Sequence, residues 1–360
     1  MREKVKNSNE KETIILKLKT PWDYNDNNIW LASSIEFYRN IEKYLFPDKL
    51  DTERQKQLIS LVGQEIMALK AADEPALIVA EEINPLAKQY LTEHFLTVQN
   101  FQNTHAGEAF VIDKTGLFLA SINIQDHLHL KILDVQGEIE NSWNALLNIE
   151  TLLSKSLPFA FSPKFGFLTS DPSFSGTAMI ATVFLQLSGL VHLGKLDEIL
   201  EKHSDESIVI TGIQGNPTEI IGDVLAIRNN QTLGVSEENI ISSLRSLITK
   251  LLTEENRARN EIKTSQNSHI KDLVSRAYGI LIYSYEIEPV EALNAISLIK
   301  LGIEMGWISG LDYGKVNQLF FNCRRSHLLS NYGELVPQEE ISHKRAEFIH
   351  EAFKDTKLII

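Results

Sequence analysis

One stretch constrains the chain more than any other: Phe165-Gly-Phe-Leu-Thr-Ser-Asp-Pro-Ser-Phe-Ser-Gly-Thr-Ala-Met-Ile-Ala-Thr-Val183. A short apolar run, Phe165 to Leu168, ends in Thr-Ser-Asp-Pro, and Ser175-Gly176-Thr177 then opens helix-compatible residues. The pattern predicts a strand, a turn and a helix start, with the helix covering Ile180 to His192. Such a turn exposes side chains and backbone N–H groups at a helix N-terminus, where anions and reacting groups often sit.

The rest of the chain mixes strand and helix periodicities. Residues 1 to 12 read as a solvated, flexible tail, and Thr13 to Leu18 as an edge strand. Thr52 to Lys70 carries Leu58, Leu61, Val62, Ile66 and Leu69 at helical spacing, and Pro85 to Phe95 continues in that manner. From Glu108 to Leu133 alternation predicts an antiparallel meander, followed by a helix over Gly137 to Leu157. Leu196 to His203 reads as a helix, Ile208 to Thr211 as a strand, Gly212 to Asp223 as a loop and Asn229 to Gly234 as a turn. Ser236 with Glu237-Glu238 marks the start of a long amphipathic helix. A densely polar segment, Thr253 to His269, is where a domain boundary is expected, and the remainder is helical in pattern. No repeat or low-complexity tract interrupts the sequence.

Composition narrows the function classes. A formal net charge of −13 disfavours steering towards nucleic acid or anionic lipid. The single cysteine, Cys323, excludes an internal disulfide framework and a multi-cysteine zinc site. With no signal-like apolar core at the N-terminus and no run near the ~20 residues needed to span a bilayer, no membrane insertion is expected and a cytoplasmic location is.

The central stretch resembles the active-site turn of the ATP:guanidino phosphotransferases, nearest the bacterial protein-arginine kinases. There the turn reads Leu-Thr-Ser-Cys-Pro, then Gly-Thr, then arginine; here Asp171 and Ile180 hold the cysteine and arginine positions. The family's Ser-Ser-Arg-Ile-Arg, two residues, Arg-Asn appears as Ser33-Ser34-Ile35-Glu36-Phe37-Tyr38-Arg39-Asn40, so Ser34 and Glu36 replace two arginines. Its Asn-Glu-Glu-Asp-His appears as Asn123-Ile124-Gln125-Asp126-His127, without either glutamate, and His129 stands at a further arginine position. Thr211-Gly212 replaces Arg-Gly before the mobile loop, and that loop keeps Gly215 and Glu219 but has Asn216 for a glutamate. Of the C-terminal phosphoarginine-docking motif only Arg345-Ala346 remains. Thr169, Ser170, Pro172, Gly176, Thr177, Asn229, Thr232 and Gly234 do match the family.

The resemblance implies an α+β fold: an antiparallel sheet flanked by helices over 13–258 (the guanidino kinase catalytic domain, glutamine-synthetase-like), then a small helical C-terminal domain over 259–360. It also implies a homodimer through that domain, with Ala292, Ile296 and Ile299 read either as its interface or as internal core. Phosphoryl transfer to a guanidinium needs cations around the triphosphate and a carboxylate base. Each charge-assisted bond to phosphate contributes ~1.5–3 kcal/mol, so losing those at Ser34, Glu36, His129, Ile180 and Thr211 removes upwards of ~7 kcal/mol after discounting for non-additivity. The negative charges of Glu36 and Asp171 are expected to repel an anion further.

The expected function is therefore a catalytically impaired, regulatory or protein-binding pseudokinase with no cofactor and with protein partners. The degenerate catalytic positions are Ile124, Gln125, Asp171 and Asn216, and the degenerate nucleotide positions are Ser34, Glu36, His127, His129, Ile180 and Thr211. The alternative is an active protein-arginine kinase using ATP and Mg with rearranged cations such as Arg39, Lys164 and Arg228. A third reading makes Asp171 and Glu219 a guanidinium clasp for arginine-bearing segments, against which stands Asp171 as a plain turn residue before proline. His127 and His129 are read as hydrogen-bonded strand residues, with no metal, although the resemblance sets His127 near the nucleobase.

Overall fold

The computed structural model describes residues 12, 14–24, 27–99, 101–332 and 336–360. Two compact units divide the chain. The first contains Ser33–Thr182, Arg228–Ser243 and the segment up to Pro21; the second contains Trp22–Ala32, Val183–Ile227 and Leu244–Ile360.

In the first unit the alternating segment forms the predicted meander. Strands β1 (Trp30–Arg39), β2 (Ala76–Val79), β3 (Ala109–Ile112), β4 (Phe118–Ile122) and β5 (Leu128–Asp134) lie in the order β2-β3-β4-β5-β1, each neighbouring pair antiparallel. Helices α1 (Thr52–Met67), α2 (Pro85–His94) and α3 (Ile139–Leu153) accompany them, with α1 packed on β2, β3 and β4 and α3 on β5. Asp51 and Asn84 cap the first two helices, accepting from the backbone N–H groups of Arg54 and Ala87.

The central stretch departs from its predicted form. A two-stranded ribbon, β6 (Phe161–Ser162) with β7 (Gly166–Phe167), precedes the turn, and Met179–Gln186 is a strand, β8, rather than a helix. All eight residues of β8 are buried, and Ile180, Thr182 and Val183 are β-branched. A strand covered on both faces reads as an unbroken apolar run, which periodicity does not separate from a buried helix. The helical part of the predicted Ile180–His192 segment is only Ser188–His192 (α4). Ile14 to Leu16 are likewise helical where an edge strand was expected. Of the expected tail, only Glu12 lies within the described residues, and its carboxylate accepts from the Asn84 N–H.

Strands β8, β10 (Val224–Asn229) and β9 (Ile208–Gly212) are hydrogen-bonded neighbours in that order, and α5 (Leu196–His203) lies between β8 and β9 in sequence. The polar segment Thr253 to His269 lies mostly in one helix, α6 (Glu237–Ser265), so the expected boundary at 258/259 falls inside it. Helix α7 (Ser268–Tyr283) packs on α8 (Pro289–Glu304) and α11 (Ile341–Phe353); α9 (Tyr313–Asn322) also packs on α8, and α10 (Arg325–Ser330) on α9. Ala292, Ile296 and Ile299 are fully buried core residues of the second unit, and Cys323 is buried. No helix among the described residues is long and apolar enough to cross a membrane.

One ionisable pair in this unit predicts a pH effect. His192 Nε2 lies 3.1 Å from Asp223 Oδ2, which also accepts from Ser297 Oγ at 2.6 Å. Burial pulls the His192 pKa down, but the bond and charge of Asp223 outweigh it, and the net direction is up. A raised histidine pKa gives stabilisation that is complete below the unfolded value of ~6.5 and is lost as pH rises through the folded value. His192→Gln is therefore expected to flatten the decline in unfolding free energy above pH ~6.5, measured by urea titration at a series of pH values.

Candidate functional site

The register of β1 against β5 builds the polar centre of the first unit. Glu36 pairs with Lys131 and Tyr38 with His129, and alternation puts Ser34, Glu36 and Tyr38 on one face of β1. Their side chains converge on the Glu36 carboxylate. Oε1 accepts from Ser34 Oγ at 3.2 Å and Lys131 Nζ at 3.0 Å; Oε2 accepts from Tyr38 Oη at 3.1 Å and His129 Nε2 at 2.8 Å. Each oxygen thus has two donors, the capacity of an ionised carboxylate. Burial raises the Glu36 pKa, yet the charges and hydrogen bonds of Lys131 and His129 overcome that, holding it well below the usual carboxylate range. Glu36 is therefore not an open negative charge facing an incoming anion, as the sequence led one to expect. It is neutralised where it stands.

Aromatic rings cover this cluster. His129 stacks on Tyr38 with centroids 4.4 Å apart and planes 4° from parallel, and Phe174 lies against Tyr38 at 5.5 Å. Tyr38, Ala178 and Ile180 form an apolar cluster with Phe167 and Phe174 against it. Ile180, where the resemblance calls for a guanidinium, is thus a packing residue.

Arg39 points elsewhere. It is fully buried, with Nε 2.8 Å from Glu150 Oε1 and a second carboxylate, Glu237, 3.9 Å from its guanidinium. Nη1 donates to the carbonyls of Tyr38 and Thr177 at 2.8 and 3.1 Å, and the guanidinium lies 3.6 Å from the Phe167 ring centroid. Lys164 is exposed beside Phe165. Arg228 is half-buried on β10, has no ion pair among the described residues, and its charge acts on Tyr38.

Asn40 and Asp126-His127 act as stitches between segments. Asn40 Nδ2 donates to Asp126 Oδ1 at 2.5 Å and to the Leu168 carbonyl at 3.0 Å, while its Oδ1 accepts from the His127 N–H. Asp126 Oδ1 also takes the Ser170 N–H at 2.6 Å. His127 Nδ1 accepts from the Ile41 N–H at 3.0 Å, so Nε2 carries the proton and donates to the Leu45 carbonyl at 2.8 Å. Burial lowers its pKa accordingly. His127 and His129 thus serve different partners, and no metal-ligating cluster is found among the described residues. Ile124 and Gln125 occupy the half-buried bend between β4 and β5.

Asp171 is exposed, and its Oδ1 accepts from both the N–H and the hydroxyl of Ser173, the geometry of a turn residue ahead of Pro172. Those bonds lower its pKa. The adjoining loops are laced by residues the family pattern retains. Asn229 Nδ2 donates to the Met179 carbonyl and its Oδ1 accepts from Ala181, while Thr232 Oγ1 donates to Ser175. Gly176, at φ 115°, has no room for a Cβ, which would lie 2.1 Å from the Thr232 carbonyl oxygen.

In the second unit Thr211, at the end of β9, donates to the Gly212 carbonyl. Asn216 closes a tight turn, accepting from the N–H and hydroxyl of Thr218 and, through its carbonyl, from Gly212. Glu219 is exposed, 3.5 Å from the Asn216 amide.

Sequence reading overlooked Tyr38, Lys131 and Glu150. The signal for the first two is legible afterwards: Ser34-x-Glu36-x-Tyr38 and His129-x-Lys131 set polar groups at strand spacing on faces otherwise apolar. Glu150 lies on the buried side of α3 and gives no local sign of its partner.

Comparisons with known proteins agree with this architecture. Residues 57–258 match the family model described as ATP:guanido phosphotransferase, C-terminal catalytic domain, and residues 267–358 that of the protein-arginine kinase McsB C-terminal domain. The chain is 30% identical over 350 residues to a protein-arginine kinase of Chlamydia pneumoniae, covering 95% of this chain and 96% of that one. It is 33% identical over 297 residues to the protein-arginine kinase of Chlamydia muridarum, covering 82% and 83%. Among solved structures, lombricine kinase superposes with a TM-score of 0.55 at 20% identity, covering 67% of this chain and 70% of that one. The duplicated taurocyamine kinase of Schistosoma mansoni gives 0.57 at 22%, where this chain spans 35% of the other's length and 67% of its own is covered. At such identity these two neighbours speak for the fold.

Proposed function

This chain belongs to the ATP:guanido phosphotransferase family, and on that premise we propose that it is a protein-arginine-kinase-like member that binds or regulates other proteins and does not transfer phosphate. One observation carries the reading: Lys131 and Arg39, cations of the first unit's central strands, are already committed to buried carboxylates. A phosphate tail needs several free cations, since the chemistry is mostly positioning and charge neutralisation. Ile180 contributes packing, Gln125 has no charge, and the Glu36 carboxylate has all its acceptor positions filled and is no base. Removing ~7 kcal/mol from a micromolar site leaves a dissociation constant of about 0.1 M. Calorimetry with Mg-ATP is expected to give no heat of binding at micromolar to millimolar nucleotide, and radiolabelled ATP no transfer to arginine-containing protein. Micromolar binding with turnover ends the proposal.

A second reading, an active kinase with a different set of cations, has one observation in its favour, the uncommitted Arg228. Under it, Arg228→Ala abolishes transfer; under the reading preferred here there is none to abolish. An arginine-reader role draws support from the exposed carboxylate of Asp171, and Asp171→Ala leaving the affinity for an arginine peptide unchanged ends it. The helical segment remains our proposal for a self-association surface, but through faces other than the buried Ala292, Ile296 and Ile299.

A further inference from the structure

We propose that Ser34, Tyr38, His129 and Lys131 form a complete anion-binding site whose occupant is the chain's own Glu36 carboxylate, so that the face is closed to external anions from within. The inference rests on the reading that no nucleotide tail is held here, and adds the physical agent that keeps it out.

Four features make this a built site. All five side chains belong to residues at most 8% exposed. The donors come from two strands in fixed register, Lys131 directly across from Glu36 and His129 diagonal to it. They approach from different directions and meet two by two on the carboxylate oxygens at 2.8–3.2 Å. The rings of Tyr38 and His129, stacked 4.4 Å apart, cannot turn away independently. Such an arrangement serves any compact oxyanion, a carboxylate or a phosphoryl oxygen alike, because fixed dipoles and charges recognise charge and size. Glu36 has the advantage of being tethered. An intramolecular ligand acts at an effective concentration no free anion reaches in solution.

The prediction is specific. Removing the tethered carboxylate without disturbing the donors makes the site available to a free anion. In Glu36→Ala, titration with acetate or inorganic phosphate in the absence of nucleotide is expected to raise the melting temperature, by about 2–4 °C once the anion exceeds its dissociation constant tenfold. Wild type shows no such response above that to chloride at equal ionic strength, and Glu36→Ala/Lys131→Met loses it. Equal anion responses in wild type and Glu36→Ala overturn the proposal, as does a response that survives the loss of Lys131. Should Glu36→Ala not fold, Glu36→Gln takes its place: its neutral amide leaves the Lys131 ammonium uncompensated, and phosphate must stabilise it more steeply than wild type. Because the readout is stability without nucleotide, its failure leaves the ATP measurements standing, and turnover in those leaves this result standing.

Discussion

Arg39→Ala lowers the unfolding free energy by about 3–5 kcal/mol, the range expected when one partner of a buried ion pair is removed. The cost has three parts. Glu150 keeps a buried carboxylate without its cation, the carbonyls of Tyr38 and Thr177 lose a donor, and the guanidinium no longer covers the Phe167 ring. Arg39→Lys recovers only part of this, since one ammonium cannot reproduce a planar fork that meets a carboxylate and two carbonyls at once. Urea denaturation of both variants checks the order wild type, Lys, Ala. Were Arg39 instead held for a phosphate, its removal would be nearly neutral or stabilising to the free protein, as functional residues often are. A loss under ~1 kcal/mol contradicts the structural role.

The second large effect concerns coupling. Glu36→Leu and Lys131→Met are each expected to cost about 3–5 kcal/mol, because each strands a buried charge. The double variant is expected to recover most of that, since paired charges replaced by apolar groups of similar volume are often close to neutral. The coupling energy from the four-member cycle should be large and opposite in sign to the sum of the single losses. Additive losses mean the two side chains act separately. The pH dependence has a defined sign. The Glu36 pKa is depressed, so its contribution is complete above the unfolded value of ~4.3 and disappears as pH falls through the folded value. Glu36→Gln removes that acid-side slope.

How far the sequence carried this picture differs from element to element. Helices with capped starts and apolar residues at helical spacing, such as Thr52–Met67 and Pro85–His94, were legible because the signals are local. The meander was legible because its turns are polar. Strand Met179–Gln186 was not, because burial on both faces erases alternation. At the site, the departures from the family pattern were expected residue by residue, but the surroundings of Glu36 were not. Glu36 reads as an isolated negative charge until the register places Lys131 opposite it, 95 residues away in the chain. Pairing of that kind is a property of the sheet, not of any window of sequence. The motif residues that do match, Asn40, Asp126, His127, Asn229 and Thr232, hold loops together, so the family pattern stays readable beside Arg39 and Lys131, which are held by carboxylates.

The face-to-face placement of Glu36 and Lys131 also limits what either position accepts. Placing a guanidinium at position 36 alone would set two cations against each other in a dry interior, with His129 beside them and the counter-ion gone. A cation at position 36 therefore requires a compensating change at Lys131, and the two would have to arrive together. The strand register therefore makes positions 36 and 131 one unit of charge, exchanged together or not at all.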